Sequence, residues 1–587
     1  MSSQPNAIET EVLIIGAGPA GSSAAALLAT YGISNIMINK YGGVSNSPRA
    51  HITNQRAVEV LRDLGLEKSL LESATPQRLM GEHVYGTSLA GRELGRLRTW
   101  YTHPHFQAEH DLASPCSVCD MPQDRMEPIL VNAAASRGST VRFNTEFVRF
   151  AQDADGVTTR VRDRVSGHEY DIRSKYLIGA DGGNSMVAKQ LELPLEGQTG
   201  LGGSINIVFD ADLTQYCAHR PGDMYWFIQP GVGMNGFGIG VLRMVRPWTR
   251  WMAVWGYDVN GPKPELTEEE GVRIAHQIIG DKSIVVKVES MSLWTTNDIH
   301  ATNNMNGRVF CAGDAVHRHP PMNGLGSNTS IQDSYNLCWK LAMVLRGHAA
   351  PSLLETYRDE RVPVGKQIVK RANKSMHLMP PLFGALKLPQ SPDVDTMNKV
   401  LDDLGAPTEE AEQRRRDFDA ALQNTVMCFN THGVELNQSY TSAAIVDDGT
   451  PKRDAPRDEE IYYWSTTQPG RHLPHVWLIK DQHRVSTFDL CGRGEFTLLT
   501  GICGNRAWRE AAGRVTEELG VPVRVHTIGR GCEYEDSYND YRTMCEVEED
   551  GVLLVRPDHM VAWRAKDASG DPSTQLRNVF AQILGRQ

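Results

Sequence analysis

Val12-Leu13-Ile14-Ile15-Gly16-Ala17-Gly18-Pro19-Ala20-Gly21, running into an alanine-rich stretch at 24–29 that closes near Gly32, decides the fold. The β-branched run predicts a strand, the glycines a tight turn and the alanines a helix. In such a turn the first glycine (Gly16) permits the bend and the second (Gly18) lets the chain approach a pyrophosphate. The third (Gly21) lets helix and strand pack closely, with the helix N-terminus facing the negative charge. The next strand, Ile36-Met37-Ile38, ends in Asn39-Lys40 where an acidic residue normally takes the ribose hydroxyls. Asn39 can still accept a hydroxyl hydrogen bond, and Lys40 adds a positive charge, so both are nucleotide-binding candidates.

Working outward, Gly179-Ala180-Asp181-Gly182-Gly183-Asn184-Ser185 and Gly313-Asp314-Ala315-Val316-His317-Arg318-His319-Pro320-Pro321 stand far along the chain. Their order and wording resemble the class A FAD-dependent aromatic hydroxylases. The likeness tightens over Arg49-Ala50-His51-Ile52-Thr53-Asn54-Gln55-Arg56 and over 320–328 through Asn336-Leu337-Cys338-Trp339-Lys340-Leu341. There, and at Pro469-Gly470-Arg471-His472 and Val555-Arg556-Pro557-Asp558, the chain is similar to phenol hydroxylases, in particular the 2,4-dichlorophenol 6-monooxygenase group, over nearly its whole length.

The resemblance implies FAD as cofactor, NADPH or NADH as reductant and O2 as co-substrate. It also implies a flavin C4a-hydroperoxide that hydroxylates a phenol ortho to its hydroxyl. Asp181 then serves FAD and nicotinamide, Gly313 and Asp314 the ribityl chain, and Arg49 and Gln123 the pyrophosphate. Gly324, Gly326, Ser327 and Asn328 line the flavin, ahead of a helix expected to begin after Asn328. Such a helix N-terminus can stabilise negative charge on a reduced flavin. Where the family often carries an arginine three residues after the serine, this chain has Ala188, so the choice between NADPH and NADH stays open.

By its position after Arg49-Ala50, which corresponds to a substrate-side position in the related hydroxylases, His51 is the candidate catalytic base, and an imidazole of pKa about 6.5 can take a phenolic proton near neutrality. A purely structural hydrogen bond beside the flavin is its alternative. Pro321, through its carbonyl, and Trp226, as a pocket wall, are substrate-side candidates. Two other activities remain open: a Baeyer–Villiger or polyketide-tailoring monooxygenase on the same fold, and a flavin dehydrogenase or binding protein without oxygenation.

The expected architecture is α/β, with a discontinuous Rossmann-like FAD-binding domain at 1–194 and 301–380. A β-sheet substrate domain is inserted at 195–300 and takes a segment at about 80–113. A helical connector at 381–428 and a thioredoxin-like C-terminal domain at 429–587 follow. Periodicity fades over 380–395, which reads as connector, before two helices at 394–404 and 409–422. The tail lacks a CxxC, so a packing or dimer-supporting role is expected of it. Gly231-Val232-Gly233-Met234-Asn235-Gly236 matches the dinucleotide pattern but precedes a strand-like segment, and so reads as a β-turn.

A net charge of −11 with no basic stripe argues against a nucleic-acid partner. The polar first ten residues carry no secretory pattern, and the glycines, Pro19 and serines of 12–29 argue against a membrane span, so cytoplasm is expected; the family resemblance implies a homodimer. Ten scattered cysteines do not make a disulfide scaffold, and Cys116/Cys119 read as incidental thiols. No metal site is expected: His103, His105 and His110 read as solvated histidines of a loop, and His317 and His319 as part of the flavin-cradling loop.

Overall fold

The computed structural model describes residues 8–230, 237–388 and 394–586. Strand Ile8–Ile15 lies parallel between Glu169–Gly179 and Asn35–Ile38, and Val309–Cys311 and Thr140–Arg142 extend the parallel core of the sheet. Its apolar run is continuous because both faces are covered. Val12 and Ile14 pack in the cluster that holds the helices Pro19–Thr30 and Gly326–Leu345, whereas Leu13 and Ile15 pack with Val157 and Val161. Pro19 starts the first helix, where its fixed φ suits the first turn and its missing N–H costs nothing.

A second sheet of eight strands carries the aromatic segments. Its middle is the long antiparallel pairing of Leu195–Asp210 with Lys287–Ala301 and Arg250–Tyr257. Its far edge is Phe237–Arg246, Met224–Pro230, Glu82–Gly86 and Glu93–Arg98, so the 80–113 segment supplies the last two strands. The dinucleotide-like 231–236 segment lies outside the described residues. The strands on either side of it pair antiparallel, from Met224↔Arg243 to Pro230↔Phe237.

In the C-terminal region the strand order is Val523–Thr527, Phe496–Thr500, Val552–Val555, Val561–Ala565, the first pair parallel and the others antiparallel. With helices Asn505–Leu519 and Pro572–Ile583 this is the expected thioredoxin-like βαβ then ββα order. Phe496 meets Trp339 edge to face at 5.6 Å, so this sheet shares a core with the helix Gly326–Leu345. Across the same seam Arg556, wholly buried, pairs with Glu360 at 2.6 Å and Asp558 at 2.6 Å, while Lys340 meets Glu360 at 2.8 Å.

Three local expectations need correction. Helix Gly326–Leu345 begins at Gly326 rather than after Asn328, because Leu325 already has helical dihedrals. Pro380–Leu386 is a helix within the stretch read as connector, its prolines occupying the first turn. Pro104–Ala113 is also a helix: the His103 ring accepts from the His105 N–H as its cap, and His110 is buried against Tyr101 at 4.7 Å instead of solvated.

Candidate active site

The three glycine motifs meet at one place. Gly16 has φ +106°, and a Cβ there would stand 2.2 Å from the Ala180 carbonyl oxygen of the second motif. A Cβ on Gly21 would stand 2.0 Å from the Gly16 oxygen, and one on Gly313 3.2 Å from Ala20. Ala20, Ala180 and Ala312 therefore pack as one small cluster. Gly18 differs: nothing lies nearer its Cβ position than a Glu127 carboxylate oxygen at 3.9 Å. The backbone at this helix N-terminus is thus open to an approaching anion, and the donor set fits the pyrophosphate of a dinucleotide.

Around this cradle the candidate nucleotide contacts hold different posts. Asn39 donates from Nδ2 to the Gly43 carbonyl at 2.7 Å, and Lys40 lies over the Tyr41 ring at 5.2 Å. Arg49 occupies a left-handed backbone position, φ +34°. Gln123 donates its backbone N–H to Ala50 O at 2.9 Å and its side-chain amide to Glu127 at 2.6 Å. Glu127 also accepts from Ser45 N–H, and burial pushes its carboxyl above the ordinary range. Asp181 accepts from the Ser185 hydroxyl and from Met186 N–H at 2.7 Å at the start of the helix Met186–Gln190, which Ser185 caps. Asp314 is exposed beside the buried Gly313 and Ala315. Gly313 N–H is held by Asp333, whose carboxylate also receives His317 and Arg361.

Gly324, φ +63°, turns against Ile52, 2.9 Å from its Cβ position. Ser327 lies in the first turn of the following helix, as does Gly326. Asn328 donates to Ile52 O at 2.8 Å and accepts from Asn54 N–H at 3.0 Å, so its amide ties the His51 segment to the glycine-rich loop.

The second half of the candidate site is built on that same segment. Short strands Ile52–Thr53 and Cys119–Asp120 pair with Ile52 opposite Asp120, and Met121 N–H donates to His51 O at 2.7 Å. This register brings His51 Nδ1 within 3.1 Å of Asp120 Oδ1. His51 is 3% exposed, and its Nε2 has no partner. Burial, then the Arg243 charge, hold the His51 pKa below its ordinary value. A neutral imidazole whose Nδ1–H donates to a carboxylate presents an Nε2 lone pair, which is the form of a general base.

Behind the dyad a polar chain runs from the short strand Cys119–Asp120 to the eight-stranded sheet. Arg243 Nη2 donates to Asp120 Oδ2 at 3.0 Å and stands 3.5 Å from Asp223. Asp223 Oδ1 meets His83 Nε2 at 2.8 Å and accepts from Trp100 Nε1 at 3.0 Å, while Trp226 Nε1 donates to His83 Nδ1 at 3.3 Å. Burial pushes Asp223 up, but His83 and Arg243 outweigh it and hold its carboxyl below the usual range. Sequence reasoning found the two ends, His51 and Trp226, and missed Asp120, Arg243, Asp223 and His83 between them. Trp226 is 8% exposed and lies parallel to Tyr85 at 6.0 Å. Pro321 is exposed at the head of the 322–324 turn. His319, lowered to about 4 by burial, meets Pro320 O at 2.6 Å. Among the described residues no group of three or more His, Cys, Asp or Glu is arranged to hold a metal.

Comparison with known proteins agrees with this geometry. A family model described as FAD binding domain matches residues 9–372, and one described as aromatic-ring hydroxylase, C-terminal, matches 466–587. The chain is 52% identical to 2,4-dichlorophenol 6-monooxygenase of Delftia acidovorans, over 100% of both chains. It is 54% identical to the enzyme of the same name from Cupriavidus pinatubonensis, over 99% of this chain and 97% of that one. The solved structure of the flavin-dependent monooxygenase PieE, in complex with FAD and substrate, is similar with a TM-score of 0.94 and 43% identity over 100% of each chain. With the glycine cradle, the sheet beside it and matches spanning the full length, the chain belongs to the FAD-dependent aromatic-ring hydroxylases.

Proposed function

We propose that the enzyme hydroxylates a small phenol ortho to its hydroxyl, with His51 as the base that takes the phenolic proton. The observation that carries this is the His51–Asp120 pair: a buried imidazole oriented by a carboxylate, with Nε2 free. FAD, once reduced by NADPH or NADH, supplies the activation of O2 that closed-shell aromatics need. Gly16, Gly18 and Gly21, with Arg49 and Gln123, would hold its pyrophosphate. Asp314 would take its ribityl hydroxyls, and residues 324–328 its ring system.

The chain's own residues do the rest. Asp120 keeps the His51 proton on Nδ1, so that Nε2 accepts the proton from the phenol, and Arg243 holds Asp120 in place. A phenolate is far more electron-rich at its ortho carbon than the phenol, so proton removal at Nε2 prepares the ring for electrophilic oxygen. Burial of His51 and the apolar residues around Trp226 exclude water from the site. Pro321, by its carbonyl, and Trp226 would orient the ring.

The domain division at 194, 300, 380 and 428, a homodimeric state and a cytoplasmic location are part of the same reading; among the described residues no helix is long and apolar enough to cross a membrane. Oxygen uptake by the FAD-loaded enzyme with NAD(P)H tests it. Phenol should stimulate uptake and be converted to a product one oxygen heavier with the ring intact. Ring expansion, or phenol-indifferent uptake, would refute the proposal.

A further inference from the structure

Against Trp226 lies an apolar cavity of about 10 Å³. The sheet supplies Tyr85, Leu94, Trp226, Ile228 and Ile239 to its lining; the two helices 380–386 and 409–424 supply Leu382 and Phe418. The strand register explains the sheet wall. Trp226 pairs with Tyr85 and Ile228 with Ile239, and Trp226 and Ile228 are two apart on one strand, so they share a face. The helical wall is held close by Gly95, opposite Tyr85, where a Cβ would stand 2.6 Å from Leu422 and 3.6 Å from Phe418.

The lining carries no charge, and its one hydroxyl, on Tyr85, stands 3.5 Å from Thr425 Oγ1. A cavity of this size has room for about one water-sized group, but a water needs polar partners that this wall lacks. It suits an apolar group no larger than a methyl or a chlorine, and it is too small for a ring. It also belongs to the substrate side: Ile52 and Met322, from the segments that flank the glycine-rich turn, lie in the same hydrophobic cluster as Tyr85, Trp226, Ile228 and Leu382.

We propose that this cavity receives one apolar ring substituent of the phenol, and that Leu382 and Ile228 set the size it accepts. The proposal rests on the reading that places the phenol between His51 and Trp226. The helices after residue 380 thereby become part of the specificity apparatus, although they carry no catalytic group.

The test compares 2-, 3- and 4-methylphenol with their ethyl homologues on the FAD-loaded parent, Leu382→Ala, Leu382→Phe and Ile228→Val. Dissociation constants are read from the flavin absorbance change of the oxidised enzyme, and kcat/KM from product formation. One methylene in an apolar pocket is worth roughly tenfold or more in discrimination. At one ring position the ethyl-to-methyl preference should rise by about tenfold in Leu382→Ala, rise more weakly in Ile228→Val and fall in Leu382→Phe, in both measurements. Preferences that stay within about twofold of the parent at all three positions, in variants that retain FAD, would overturn the cavity assignment. A parent that neither binds nor oxidises any of these phenols would instead refute the underlying function. Because the substitutions enlarge and fill the cavity from two different elements, loss of one variant to misfolding leaves the others to decide.

Discussion

Removing the proposed base is the most informative perturbation: His51→Ala should cut hydroxylation at neutral pH and be rescued by raising pH. A phenol of pKa about 10 is ionised to roughly one part in a thousand at pH 7, which sets a ceiling of about 10³-fold on what deprotonation can contribute. General-base catalysis typically contributes about 10²- to 10⁴-fold, so a loss of about 10²- to 10³-fold is expected. The free Nε2 and the Asp120 partner place His51 in the upper part of that range. Between pH 7 and pH 9 the phenolate fraction rises about 100-fold, so the deficit should shrink to about tenfold or less. In the parent the sign is opposite. Burial, then Arg243, lower the His51 pKa, so the imidazole stays neutral below its ordinary pKa of about 6.5 and activity persists there, falling only as His51 is protonated at still lower pH. The assay is product formed per NAD(P)H consumed, in single turnovers of enzyme that retains FAD. A deficit that is absent, or that stays constant from about pH 6 to about pH 9, would refute the role of His51 as base.

Gly21→Ala and Gly18→Ala should separate fold from ligand. The first forces a methyl to 2.0 Å from the Gly16 oxygen and should lower stability by about 1–3 kcal/mol in thermal unfolding; the second meets nothing nearer than 3.9 Å and should unfold like the parent, yet weaken FAD binding in fluorescence titration. Glu360→Gln leaves buried Lys340 without its carboxylate and Arg556 with Asp558 alone, and should cost about 3–5 kcal/mol in denaturant unfolding. Acid unfolding should draw on Glu59: burial pushes it up, but His472 and Arg56 outweigh that and hold it at about 2. Its folded pKa lies below the unfolded value of about 4.3, so its contribution is whole above that pH and is lost as pH falls toward about 2; Glu59→Gln should flatten that part of the stability curve.

The cradle was legible because a dinucleotide turn is a local device. Gly16, Gly18 and Gly21 lie within six residues; Gly16 and Gly21 answer a steric demand of the turn itself, and Gly18 leaves the helix N-terminus open. The wider sheet was legible for the same reason, through alternating and aromatic runs such as Met224–Pro230. The polar chain behind His51 was not, since Asp120, Arg243, Asp223 and His83 are single polar residues in unrelated segments, joined by side-chain contacts that only the packing of two separate sheets brings about. Asp223 and His83 are wholly buried, and such residues had to find partners, but no local pattern names them. Proline misled twice. His103-Pro104 and Pro380-Pro381 open helices, whereas both stretches were read as irregular. His110 was then assigned to solvent when its helix buries it beside Tyr101. The start of Gly326–Leu345 lies three residues before the expected one, because glycine at a helix start gives no side-chain cap to read.

The central claim, that a phenol gives up its proton to His51 in this FAD enzyme, is most directly tested by titrating a chromophoric phenol bound to the oxidised enzyme. With 4-nitrophenol, the phenolate band should appear in the bound state at lower pH than in free solution, and the shift should vanish in His51→Ala that still binds both FAD and the phenol. A bound phenol that ionises at its solution pKa in the parent, or whose shift survives in His51→Ala, would contradict the account.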